Sequence, residues 1–333
     1  MENQQTKSLS KVSSTFNISR FIAIISVITA HTSFNINNPL LYNLIKRFSS
    51  IGVVVFIIVS GYYFNPQKYK TIGKFMKSKI ATIILPWGFL GTLVFLESKI
   101  VMAEPIGISG WLKFMIGYNS YLYYLTVLMI CYLIYFYLVK NNKITITVII
   151  SFLITIMSQQ LTAWGILDIK KIYFTDYLNI FNWVGYFCLG LGLKNIDVYK
   201  LLTLFKKYII AIIALWMVIF IMAYYLDSTT GYFSLFAIPL QVLGAIIVFG
   251  ISFFDVLNCK LTRYISKISF CVYLLHMAVV PVVYKFIGNI YFIKLLVPLA
   301  TLAVLSVMIL FLEKIARRLK MEKVFYKLSG IRG

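Results

Sequence analysis

Hydrophobic positions in this chain neither alternate nor follow a narrow helical stripe; they run. Ten largely apolar segments, near 18–35, 50–65, 80–97, 119–139, 144–160, 178–193, 207–226, 232–254, 268–286 and 291–312, are separated by short polar loops. A helix that is apolar all round has no watery face, and about 20 such residues cross a bilayer. The pattern therefore predicts an all-α polytopic membrane protein with about ten transmembrane helices. Residues 1–17 are polar and read as a disordered or surface-lying tail. Residues 18–312 form one membrane domain without internal repeats, and 313–333 a basic tail. The first apolar segment is read as a retained helix and not as a cleaved signal, because nine more follow it.

Composition agrees: 61% of residues are hydrophobic, 13% are charged and the mean hydropathy is +0.88. Soluble domains do not have that balance. The net charge of +22 would by itself suggest nucleic acid, but its distribution gives another reason. With the N-terminus inside, 24 of the 32 lysines and arginines fall on the cytoplasmic side and 8 on the other. That is the positive-inside bias, and it puts both termini in the cytoplasm. Membrane lipids and an anionic cytoplasmic ligand are the expected partners of the basic face, and no nucleic acid is needed. The cysteines (Cys131, Cys188, Cys259, Cys271) lack CxxC spacing, so neither disulfides nor a metal site is expected.

Three stretches carry candidate chemistry. Arg20 opens the first apolar segment and His31 follows eleven residues later, about 16 Å along a helix. An ionisable group that deep in a membrane is a functional candidate by default, although a histidine bonded to a neighbouring helix is the plainer reading. Arg20 also suits a headgroup anchor. His276, in Ser269-Phe-Cys-Val-Tyr-Leu-Leu-His276, is the only other histidine. Counted from the cytoplasmic side it lies at a depth similar to that of His31, so the two are expected to line one polar cavity. Lys68, Lys70, Lys74, Lys77 and Lys79 crowd one cytoplasmic loop ahead of Pro86-Trp87. They serve either as a topology signal or as a site for a phosphorylated ligand. Gly52, Ser60 and Gly61 bracket the second segment and allow close helix approach.

Taken in order, these stretches resemble the acyltransferase-3 family of integral-membrane O-acyltransferases. Arg20 and His31 have its arginine–histidine spacing, and Gly52-Val53 through Phe56 to Ser60-Gly61-Tyr62 looks like its second-helix signature. Tyr121-Leu-Tyr-Tyr-Leu125 is similar to the opening of its fourth helix, with Tyr123 where tryptophan is common. Phe187-Cys-Leu-Gly190 and Ser269 to His276 resemble two further motifs. The chain departs from the family at Asn17, where aspartate is common. It departs again ahead of Pro86, where the pair of arginines two residues apart is not intact: Lys77 and Lys79 supply point charges without a bidentate fork, and Thr82 or Ile83 stands in the place of the second arginine.

The resemblance implies transfer of an acetyl or other short acyl group from cytoplasmic acetyl-CoA to a hydroxyl of an extracytoplasmic, cell-surface or lipid-linked glycan. Lys74, Lys77 and Lys79 would then hold the donor, and His31 would act as base or acyl carrier. Arg20 would orient the donor and His276 would assist. Stand-alone members resemble O-acetyltransferases of capsule, exopolysaccharide and other surface glycans, in the bacterial plasma membrane. No fused hydrolase-like domain is expected here, so transfer would be direct or through glycan-biosynthesis partner proteins. A transporter or flippase for a polysaccharide or lipid-linked sugar is the alternative, since ten helices with polar mid-depth residues would suit a sugar path. Paired discontinuous helices, a mark of many transporters, are not evident.

Overall fold

In the computed structural model, residues 2–32, 36, 38–118, 120–139, 144–166, 175–227, 231–287 and 294–331 are described. They are helical, with turns and no strand among them. The long helices are α1 (Glu2–Ala30), α3 (Ile51–Tyr63), α5 (Leu85–Val101), α7 (Tyr123–Leu138) and α8 (Ile144–Ala163). They continue with α11 (Ile209–Leu226), α12 (Ala237–Ser252), α13 (Lys260–Ile287) and α14 (Val297–Arg318). Shorter pieces are α2 (Pro39–Ser49), α4 (Ile72–Lys79), α6 (Ile108–Ile116), α9 (Val184–Gly192), α10 (Val198–Lys207) and α15 (Glu322–Ser329).

Among the described residues, seven helical stretches are long and apolar enough to cross a membrane: Thr6–Ala30, Pro39–Tyr63, Ile72–Val101, α8, α11, α13 and α14. The other three predicted spans are shorter as helices. α7 and α12 have 16 residues each, and α9 has nine, preceded by two 3-10 turns at Asp176–Leu178 and Ile180–Asn182. The ten predicted spans are helical over most of their described length, although 232–236, ahead of α12, form turns and bends; parts of the first, fourth and tenth (33–35, 119 and 291–293) lie outside the described residues.

Both ends depart from the expected tails. α1 begins at Glu2, because Val12 and Phe16 fall on its inner face and are buried, Phe16 against Tyr62 and Phe249. At the other end α15 folds back onto α5 and α14. Tyr326 and Arg317 both donate to Glu313 (2.6 and 2.7 Å), and Ile331 is buried. Gly330 turns there with φ +69°, wedged so tightly against Phe270 and Pro86 that a side chain would have no room.

Glycine also decides which helices reach the interior. Lipid is as apolar as leucine, so helices associate in it through close packing and polar contacts. A Cβ on Gly61 would strike the Phe187 carbonyl, and one on Gly190 the Ile58 carbonyl, so α3 and α9 touch backbone to backbone. Gly52 lies equally close to Ala23 of α1. Ser26 completes that joint by donating to the Phe48 carbonyl (2.8 Å) and accepting from the Gly52 amide (2.9 Å). Those bonds satisfy backbone groups where α2 gives way to α3. A five-residue π-helix, Ile80–Ile84, leads into α5, and Pro86, which cannot donate to a helical ladder, follows it directly.

Candidate active site

α1, α7 and α13 bring the two histidines together. The His31 and His276 rings stand 5.0 Å apart, centroid to centroid, His31 at the end of α1 and His276 inside α13. Tyr121, just ahead of α7, closes the group at 6.0 Å from His31 and 4.8 Å from His276. The tyrosine is itself fixed. Its hydroxyl donates to the Leu274 carbonyl (2.5 Å), while the Tyr273 hydroxyl donates to the Tyr121 carbonyl. α7 and α13 are thus cross-bonded at the level of the histidines.

The ring orientation of His276 has a chemical consequence. Its Nδ1 lies 2.7 Å from the Tyr273 carbonyl oxygen, which can only accept, so Nδ1 carries the proton. Nε2 then presents a lone pair. This atom is buried and has no hydrogen-bond partner among the described residues, and the residue itself is 0% exposed. Buried polar atoms are nearly always paired, so an orphan nitrogen on a ring 5.0 Å from a second imidazole marks a place for chemistry. His31 is half-buried beside it.

Arg20 is not part of this contact. It lies about 16 Å down the same helix, where its Nη1 donates to Asn17 Oδ1 (3.3 Å) and its guanidinium covers the Tyr63 ring at 5.0 Å. Ser266 of α13 donates to the same Asn17 oxygen (3.2 Å). Asn17 therefore ties Arg20 to α13. Farther along the chain, Lys74 and Lys77 project from α4 into solvent. Lys79 is drawn back over Phe75 and Tyr132, at 5.2 and 4.6 Å from their ring centres. The candidate residues thus occupy separate places: the histidines together in the core, Arg20 below them on α1, and the lysines on α4.

Tyr121 and Tyr273 entered the sequence reading only as parts of motifs; nothing in the spacing showed that they would frame the histidines. The dense tyrosines at 121–124 were the available signal. Asp227, in the loop that follows α11, is buried, with its carboxylate 3.5 Å from Arg47. Cys131, Cys188 and Cys271 are buried free thiols and Cys259 is an exposed one.

Fold and site together define a multi-pass membrane protein built around a close pair of histidines, one buried and one half-buried. The family model described as an acyltransferase domain matches residues 14–312, and the chain belongs to this acyltransferase-3 family. Neither a curated protein nor a solved structure matches it significantly. The chain is accordingly a membrane acyltransferase.

Proposed function

We propose that the chain moves an acetyl, or other short acyl, group from cytoplasmic acyl-CoA to a hydroxyl of an extracytoplasmic cell-surface or lipid-linked glycan, in a bacterial plasma membrane. The observation that carries this reading is the histidine pair, one member of which has its basic nitrogen free. A neutral imidazole takes the proton of the acceptor hydroxyl as its oxygen attacks the thioester carbonyl. The carbon–sulfur bond then breaks, and the imidazolium returns the proton to the departing thiolate. In the covalent variant, His31 first accepts the acyl group on a ring nitrogen, releasing the thiol, and then yields it to the hydroxyl. His276 assists in either case as proton acceptor through Nε2.

The remaining residues fit roles around that centre. Arg20, held by Asn17 and Tyr63, lies on α1 between the cytoplasmic end and His31, where a long donor arm would pass. Lys74, Lys77 and Lys79 present cations for the donor phosphates, the first two freely and Lys79 from an aromatic seat.

The test compares cells carrying the intact gene, a deletion, and His31→Ala, with O-acyl groups on the purified surface polysaccharide and the amount of polymer exported as readouts. The reading stands if His31→Ala removes the acyl groups while polymer export and the amount of protein in the membrane stay normal. If polymer no longer reaches the surface and its remaining acylation is unchanged, transport is the activity instead.

A further inference from the structure

We propose that Tyr177 is the stacking platform for a sugar ring of the acceptor, with Asp176 beside it to accept hydrogen bonds from the sugar's hydroxyls. The proposal rests on the glycan-acceptor reading above and assigns it a binding site. Tyr177 precedes α9 on the same side of the bundle as the N-terminal end of α7. The residue is 40% exposed, yet its ring packs against the buried Tyr123 ring at 4.9 Å and the half-buried Phe233 ring at 5.2 Å. Trp183, fully buried, donates its indole N–H to the Tyr177 carbonyl (3.0 Å). The Asp176 carboxylate is half-buried and makes no hydrogen bond or ion pair among the described residues.

The loop that presents these groups is held firmly. Asn182 donates to the Asp176 carbonyl (3.0 Å) and accepts from Ser158 (2.7 Å). Gln159 of α8, 1% exposed, donates to the Asn182 carbonyl (2.8 Å). A half-exposed aromatic ring locked over other rings, with a free carboxylate at its rim, offers an apolar face and a hydroxyl acceptor side by side. A pyranose ring needs that combination: its C–H face is apolar and its edge is all hydroxyls. Firm loops that carry an exposed aromatic are also where recognition concentrates.

Continuity with the histidines gives the platform its meaning. Tyr123, its floor, and Tyr121, which touches both histidines, are two residues apart at the start of α7. The platform is therefore linked to the histidine pair through the Tyr121–Tyr123 stretch of one chain segment. Interfacial tyrosines also serve as membrane anchors, which gives the competing outcome.

The experiment uses the full chain in lipid nanodiscs and, as probe, the surface glycan isolated from cells lacking this chain and therefore not acylated by it. Binding is followed by tryptophan fluorescence and transfer by O-acyl content. Tyr177→Ala is expected to weaken binding and raise the glycan KM about tenfold, with kcat much less affected; Tyr177→Trp keeps both within about threefold. Asp176→Asn removes one surface charge and weakens binding about threefold, which gives a reading even if Tyr177→Ala does not fold. If the wild type binds and acylates the glycan and Tyr177→Ala or Asp176→Asn does so equally well, the platform is wrong and Tyr177 is an interfacial anchor. If the wild type consumes acyl-CoA but neither binds nor acylates the glycan, the acceptor class itself is wrong and the platform falls with it.

Discussion

The histidine pair and the Arg47–Asp227 pair are both buried polar clusters, and they are built in opposite ways. Arg47 of α2 donates to Ser234 and lies 3.5 Å from the Asp227 carboxylate, with the two side chains 2% and 3% exposed. Each charge there has an opposite charge or a hydroxyl beside it, so the cluster is closed and joins α2 to the ends of α11 and α12. At the histidines, one ring nitrogen is bonded to the backbone and the other is left with a free lone pair. A closed cluster fixes helices, whereas an open one is available to a substrate. Burial alone does not separate the two cases; completeness of hydrogen bonding does.

The sharpest break of that contrast is His31→Ala. Transfer should fall by about 10³-fold, within the usual span for loss of a general base, with the thermal midpoint in detergent nearly unmoved. Acyl transfer from labelled acyl-CoA and a melting curve on the same preparation check both halves. His276→Asn is subtler. The asparagine amide can still donate to the Tyr273 carbonyl, but no counterpart of Nε2 remains. About a 10²-fold loss of transfer with unchanged folding is expected, and unimpaired transfer would remove His276 from the chemistry.

At the closed cluster the order of effects reverses. Arg47→Ala leaves the Asp227 carboxylate buried and uncompensated, which should cost about 3–5 kcal/mol, visible as a lowered midpoint with activity lost only in step with folding. Arg47→Met with Asp227→Leu removes both charges and should recover most of that stability, as replaced buried ion pairs often do. If the double variant folds but is inactive, Arg47 has a role beyond structure. The smallest effect belongs to the exposed cations. Lys74→Ala with Lys77→Ala should raise the acyl-CoA KM about three- to tenfold, with a weaker salt dependence than the wild type, because screened surface charges contribute little each.

Most of the fold was legible because the membrane imposes a one-dimensional rule. Backbone polar groups must be satisfied within each segment, so a run of apolar residues can only be a helix. The rule does not mark where a helix stops in water, and it missed the inner half of α1 and the returning α15. Phe16 gains its burial from distant residues, Tyr62 and Phe249, and Gly330 is wedged against the equally distant Phe270 and Pro86. α3 and α11 read alike as apolar runs. Yet α3 is mostly buried, while α11 buries only Trp216, Phe220 and Ala223, because glycines let α3 meet its neighbours.

The candidate chemistry divides in the same way. The sequence by itself determined that the chain is an all-helical membrane protein with two histidines in apolar helices, and its motif order pointed to acyl transfer. Those are properties of residue type and spacing along one chain. Only the tertiary structure decided that the histidines meet, that Tyr121 joins them, and that Asp227 is paired with Arg47 and not solvated. Each of those facts depends on how helices far apart in sequence are rotated and set in depth against one another. In lipid that is fixed by close packing at glycines and by bonds such as Tyr121 to Leu274, which hydropathy does not register.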